Sequence, residues 1–227
     1  MKLRLRFLQN VSSTQLLMER ILKPNLCIYT HNQTQGIGSR GNSWECVQSG
    51  LYFSLCLNKA ALPPDLPPQS ASIYFGFHFK EILKKLGFSV FLKWPNDIYI
   101  KDKKIGGIIV HYKNDLIIIG IGINYKVARN SGFGELGKKL NSQKILQKFF
   151  KNLGLKETKN NKNSKNFKQK TTKISQKSWK QTFMKYKLEF QNNFSFHNEG
   201  KLLDLRGAIL CEDGAIALNG QRFYSLR

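Results

Sequence analysis

The stretch VFLKWPNDIYIKDKKIGGIIVHYKNDLIIIGIGIN, Val90–Asn124, decides the fold. It divides into four runs rich in apolar and β-branched residues: Val90 to Lys93, Ile98 to Lys101, Ile105 to Tyr112 and Leu116 to Asn124. Tight turns fall at Asp102-Lys103 and Asn114-Asp115. Connections this short join antiparallel neighbours, because a parallel pair needs a crossover of about a dozen residues or more. A mainly antiparallel sheet follows.

Upstream, Phe75, Phe79, Ile82, Leu83 and Leu86 recur at helical spacing after the Pro-rich segment Pro63 to Pro68, so they form one buried helix face. Strand signals at Leu26 to Thr30 and Leu51 to Leu57 flank a polar, Gly-bearing stretch from His31 to Gly50, too long for a hairpin turn. A loop of that length in a compact domain is the first place to look for a ligand site. Residues 13 to 22 open with Ser13 and Thr14 and stop before Pro24, as a short amphipathic helix does. Downstream, the Lys/Asn-rich stretch 156–173 has too few apolar residues for a core and reads as an exposed insertion before a last helix at 175–190. After Asn193 come short strands broken by Asn198-Glu199-Gly200, Glu212-Asp213-Gly214 and Asn219-Gly220. The expected fold is α+β: a mixed, mainly antiparallel sheet with helices over residues 1–192, and a minimal β-barrel-like unit over 193–227 that leans on it.

Composition narrows the class. The chain has 227 residues, of which 41% are hydrophobic, enough for a real core. Met1 to Phe7 alternates charge with apolar residues and no h-region follows, so no secretory signal is read; nor does any apolar run reach the roughly 18 residues of a membrane span. A cytoplasmic protein with no membrane partner is expected. Cys27, Cys46, Cys56 and Cys211 lie far apart with no C-x-x-C pair, which excludes a zinc knuckle or redox motif. The 37 Lys and Arg against 14 Asp and Glu, a formal charge of +23, favour anionic partners. A basic nucleic-acid-binding module would explain the charge, but the cations are spread along the chain without stacking aromatics or a helix-turn-helix pattern.

Three segments carry chemistry. Gly36, Gly38 and Gly41 punctuate a loop with Ser39, Arg40 and a terminal Trp44. Such a loop offers backbone N–H groups and a guanidinium to an anion and an indole face to a base, though a glycine-rich loop with no ligand looks the same. Lys93-Trp94-Pro95-Asn96-Asp97-Ile98 joins two strands and places a carboxylate able to hold Mg²⁺, though Asp in such a turn is also a plain turn former. In Lys104-Ile105-Gly106-Gly107-Ile108, a lysine opens a strand and two glycines leave room for a ligand against the backbone; the alternative is a sheet-edge bulge.

In their order, Ser13-Thr14, Gly36 to Trp44, Lys93 to Asp97, Lys104 to Ile108 and Gly120-Ile121-Gly122-Ile123-Asn124 resemble the biotin-protein ligases. The resemblance is strong over about residues 10–125 and weaker over Gly207 to Arg227, which looks like that family's SH3-like C-terminal domain. It implies a class II synthetase-like catalytic domain that joins biotin to ATP as biotinyl-AMP and transfers biotin to a lysine of a biotin carboxyl carrier domain of a biotin-dependent carboxylase. It implies Lys104, Arg40 and Asp97 as catalytic residues. Biotin would be held by Ser13, Thr14, Gln33, Gly36, Lys104, Gly106 and Gly107. ATP would be held by Gly38, Ser39, Arg40, Trp44, Lys93, Asn96 and Asn124, and Mg²⁺ by Asp97. Where the family commonly has Gly-Arg-Gly-Arg, this chain has Gly36-Ile37-Gly38-Ser39, with only Arg40 one place later. Weaker retention of the adenylate is expected, with Arg40 as a partial substitute, and an Arg40→Ala variant that released no more free adenylate than the parent would contradict that role. The chain begins almost directly at the catalytic segment, so an enzyme without a DNA-binding domain or repressor function is expected. Nothing in the residues demands a homodimer, though an exposed sheet edge would permit one. Rival readings are a lipoate-protein ligase, which shares fold and adenylation logic, and a biotin-binding relative without catalysis; Lys104 and Asp97 argue for activity.

Overall fold

The computed structural model describes residues 2–44, 47, 49–129, 131–157, 177–198 and 201–224. Nearly all of the Lys/Asn-rich insertion, from residue 158 on, lies outside them, as do Cys46 and the start of the helix expected from residue 175.

In chain order the elements are β1 (Lys2–Phe7), α1 (Thr14–Ile21), β2 (Leu26–Thr30), β3 (Gly36–Ile37), β4 (Ser43–Trp44), β5 (Ser49–Asn58), α2 (Ala71–Lys85), β6 (Phe91–Lys93), β7 (Asp97–Ile100), β8 (Lys103–Lys113), β9 (Leu116–Lys126), α3 (Ser142–Asn152), β10 (Lys156–Glu157) and α4 (Trp179–Glu189). Five short strands end the chain: β11 (Ser195–Asn198), β12 (Lys201–Asp204), β13 (Ile209–Leu210), β14 (Ile216–Leu218) and β15 (Gln221–Phe223). The main sheet runs β10-β1-β2-β5-β9-β8-β7-β6. Pairing is antiparallel from β2 to β6, as the short connections require, and parallel between β1 and β2 and between β1 and β10.

The sequence reading assigns no element to Lys2–Phe7, Ser142–Asn152 or Lys156–Glu157. In α3 the signal is present, since Ile145, Leu146, Phe149 and Phe150 recur at helical spacing and are buried behind an Asn141 cap that accepts from Lys144 N at 2.9 Å. The β7–β8 turn also differs from expectation. It falls on Lys101-Asp102, with Lys101 at φ 52°, because Lys103 already pairs with Ile100.

Period-2 alternation sorts the sheet into two faces. In β9, Ile117, Ile119, Ile121 and Ile123 enter the main core with Phe53 and Leu55 of β5, beneath the almost wholly buried α2. On the opposite face, Ile118 packs with Met18 of α1, Ile28 and Cys56. The next residues on that face are Gly120, Gly122 and Asn124. The apolar face therefore builds the core while the glycines leave a flat floor beside α1.

The C-terminal strands form two small antiparallel sheets, compatible with an SH3-like unit. Phe196, Leu210, Ile216 and Phe223 belong to the same core as α2. Trp94, from the Pro-Asn-Asp segment, is buried against this unit: its Nε1 donates to Gly214 O at 2.9 Å and its ring meets Phe196 edge-on. Trp179 Nε1 likewise donates to Glu212 O at 2.7 Å.

Candidate active site

The glycine floor, α1 and the β3–β4 hairpin enclose a cavity. At its α1 end lies a buried polar network. Ser13 caps the helix, its Oγ accepting from Leu16 N, and so presents Thr14 at the first turn. Thr14 donates its N–H to Gln33 Oε1 at 2.7 Å and its hydroxyl to the same oxygen at 3.1 Å, while Ser54 Oγ lies 3.0 Å from both Thr14 Oγ1 and Gln15 Oε1. A Cβ at Gly120 would fall 2.6 Å from Gln15 Oε1, so the glycine makes room for the amide. Fixed donors and acceptors of this kind suit a small polar ring that must be read by hydrogen bonds.

At the other end, Lys104 Nζ and Asp97 Oδ1 are 2.7 Å apart, both partly exposed to the cavity. Asn96 is pinned to β8, its O accepting from Ile108 N and its Nδ2 donating to Ile108 O, each at 2.8 Å. Asn124 donates to Gly134 O at 3.2 Å, and its buried Oδ1 has no hydrogen-bond partner among the described residues. Between the two ends lies Trp44. Cβ atoms built on Gly107 and Gly122 would stand 3.0 and 3.3 Å from indole carbons, so the ring rests on the glycine floor, with Lys104 Nζ 5.4 Å from an indole ring centroid. Its buried Nε1 is also without a partner among the described residues.

Of the residues named from sequence, Ser13, Thr14, Gln33, Gly38, Ser39, Trp44, Asn96, Asp97, Lys104, Gly107 and Asn124 line this cavity. Three do not. Gly36 backs onto Gln33 and the Cβ of Trp44 within the hairpin. Gly106 faces the other way, where a Cβ would meet Gly122 O at 2.6 Å. Lys93 lies under aromatic rings, its Nζ 5.0 Å from the Tyr99 centroid and 5.3 Å from that of Phe194. Burial lowers the Lys93 pKa, with Asp97 opposing and Lys104 adding to the shift; burial chiefly pushes the Tyr99 phenol up to about 12. For Arg40 only the backbone, on the single 3₁₀ turn Ser39–Gly41, is described. The sequence reading missed Gln15, Ser54 and Phe133. Ser54 was detectable as a polar residue inside the apolar run of β5, whereas nothing in the pattern marks Phe133.

A strand-built cavity with a polar recognition end and a cationic end defines a ligand-binding α+β domain. Residues 7–124 match the biotin/lipoate A/B protein ligase family, and the chain belongs to that family. Over 127 residues it is 34% identical to the bifunctional ligase/repressor BirA of Escherichia coli, covering 52% of this chain and 39% of that one. The chain thus spans about two fifths of the length of that curated relative. Among solved structures, the biotin acetyl coenzyme A carboxylase synthetase of Helicobacter pylori, with bound biotinylated ATP, superposes with a TM-score of 0.82 at 38% identity, covering 98% of this chain and 100% of that one. The biotin protein ligase of Aquifex aeolicus, in complex with biotin and ATP, gives 0.67 at 26% identity, covering 99% and 98%.

Proposed function

We propose that the protein is an ATP-dependent biotin-protein ligase. The observation that carries this reading is the pairing, in one cavity, of the Thr14–Gln33–Ser54 network with Lys104 beside Asp97. The first suits the ureido ring of biotin and the second suits the two anions that must meet, the biotin carboxylate and the α-phosphate. Likeness to two ligases solved with biotin-containing ligands or ATP supports the choice of cofactor.

In the proposed reaction a carboxylate oxygen of biotin attacks the α-phosphorus, the bond to the β-phosphate oxygen breaks and pyrophosphate leaves. The uncharged amine of the acceptor lysine then attacks the carbonyl carbon, the bond to the phosphate oxygen breaks, AMP departs and the amine gives up a proton. Lys104 holds both anions and offsets charge developing at phosphorus, a contribution that rests on fixed placement. Trp44, displaced from the glycine floor by the ligand, offers its face to the adenine. The acceptor is a biotin carboxyl carrier domain of a biotin-dependent carboxylase.

Magnesium belongs to the proposal. Among the described residues Asp97 is the one carboxylate on the cavity wall, and they hold no cluster of three or more His, Cys, Asp or Glu. Mg²⁺ takes one or two carboxylates and completes its shell with phosphate and water, so this donor set fits an ion that arrives with ATP. The ion would supply charge neutralisation at the phosphates. A cytoplasmic location is also proposed, supported by the free thiols of Cys27, Cys56 and Cys211. Among the described residues no helix is long and apolar enough to cross a membrane. A homodimer through the open edge of β6 stays within the proposal, since no described strand covers it.

The test is biotin-dependent exchange of labelled pyrophosphate into ATP. Exchange in the parent that needs biotin and is lost in Lys104→Ala supports the reading; exchange that needs lipoate instead moves the assignment to a lipoate-protein ligase.

A further inference from the structure

Beside the cavity lies a second depression, an open groove of about 540 Å³ between the β7–β8 turn and the loop that follows β9. Phe133 lines both, so the groove begins at the mouth of the candidate active site. Its walls are held to the site's own strands: Gly134 N donates to Lys104 O at 2.8 Å and Leu136 N to Asn124 O at 3.0 Å.

The groove carries four exposed cations, Lys101, Lys103, Lys126 and Arg129. None of them makes an ion pair with another described residue. Two acids are present, Asp102 and Glu135, the latter accepting from Val127 N at 2.6 Å, so the groove carries four cations against two carboxylates. Elsewhere Lys80 and Lys84 pair with Glu189, Arg206 with Asp204 and Arg222 with Asp213. Like charges gathered without partners along a groove cost stability unless an anion relieves them.

We propose that this groove is the docking surface for an acidic segment of the acceptor protein, next to its target lysine. The inference rests on the ligase reading and adds where the partner sits. A lysine side chain is short, so an acceptor whose amine reaches Lys104 must place its backbone at the cavity mouth. The surface bordering that mouth then lies within the footprint of the docked partner. The exposure of these cations suits a protein rim that steers encounter; a site for a nucleoside triphosphate would instead hold its cations desolvated and in fixed hydrogen bonds.

The experiment compares the parent with Lys103→Glu/Arg129→Glu in two assays: biotin-dependent ATP–pyrophosphate exchange, and transfer to a recombinant biotin carrier domain over a range of carrier and salt concentrations. The expected result is exchange at the parental rate, with a KM for the carrier raised about tenfold or more at low salt. The difference should shrink as salt is added, because exposed charges are screened within about 10 Å at 0.1 M. An unchanged KM for the carrier, with exchange intact, overturns the inference alone. A raised KM for ATP in the exchange assay also overturns it and assigns the groove to the phosphates. Absence of exchange in the parent overturns the ligase reading and this inference with it.

Discussion

Lys104 and Asp97 meet at 2.7 Å on one face of the sheet because a bulge separates them in register. Asp97 pairs with Gly107 and Ile98 with Gly106, but Tyr99 pairs with Lys104, so Ile105 is the extra residue. Strict alternation from Gly107 would turn Lys104 toward the core; the bulge returns it to the cavity and buries Ile105 instead. Re-aiming one side chain is a common use of a bulge.

Asp97→Asn tests the carboxylate. The variant keeps the shape but loses the charge, so the Mg²⁺ concentration for half-maximal exchange is expected to rise and the rate at limiting Mg²⁺ to fall by about tenfold or more. An unchanged Mg²⁺ dependence would remove Asp97 from that role.

Trp44 lies on the glycine floor, and the proposed function has the ligand displace it from there. Trp44→Ala is expected to raise the KM for ATP by the value of one stacking contact, about 1–3 kcal/mol, with little effect on thermal stability because the side chain sits on a short hairpin. The parent should also show a change in tryptophan emission on adding biotin and ATP that Trp44→Phe lacks. Identical spectral changes in both proteins would place the ligand elsewhere.

Gly120→Ala tests the polar network. The added methyl would meet Gln15 Oε1 and Ile109 Cγ1, at 2.6 and 2.9 Å before relaxation. A loss of about 1–3 kcal/mol in unfolding free energy is expected, together with a raised KM for biotin. Parental stability and KM would show that Gln15 is free to move aside.

His78 supplies the pH dependence. Its ring is buried between Thr182 Oγ1 and Asn152 Nδ2, and burial first, then Lys177, Lys185, Lys80 and Lys85, lower its pKa from 6.5 to about 3. Between those values the unfolded chain binds a proton that the folded one refuses. Stability therefore rises with pH through the window of about 3 to 6.5 and is lost as pH falls, at up to about 1.4 kcal/mol per pH unit for one proton. Denaturant unfolding of His78→Gln between pH 7 and 4.5 should show a shallower slope than the parent; equal slopes would assign the acid sensitivity to other groups.

Much of this was legible in the sequence. Alternation and short turns define β6 to β9, and the ordered motifs locate most of the cavity wall. What local pattern does not record has physical causes. The register shift that turns Lys104 to the cavity leaves no mark in the local pattern, and neither does the packing of Phe194, distant in sequence, beside Lys93. β1 and β10 join by parallel pairing across the whole chain, which short-range periodicity does not register. Gln15 becomes a site residue only through Ser54 and Gly120, brought beside it by the sheet.

The central claim is that this cavity joins biotin to a protein lysine at the expense of ATP. Its most direct test is the intact mass of a recombinant biotin carrier domain incubated with the protein, biotin and Mg-ATP, with Lys104→Ala in parallel. The account predicts a single biotin-sized gain that needs ATP and vanishes in the variant. A carrier mass that stays unchanged with the parent protein, or a gain that survives Lys104→Ala, would contradict it.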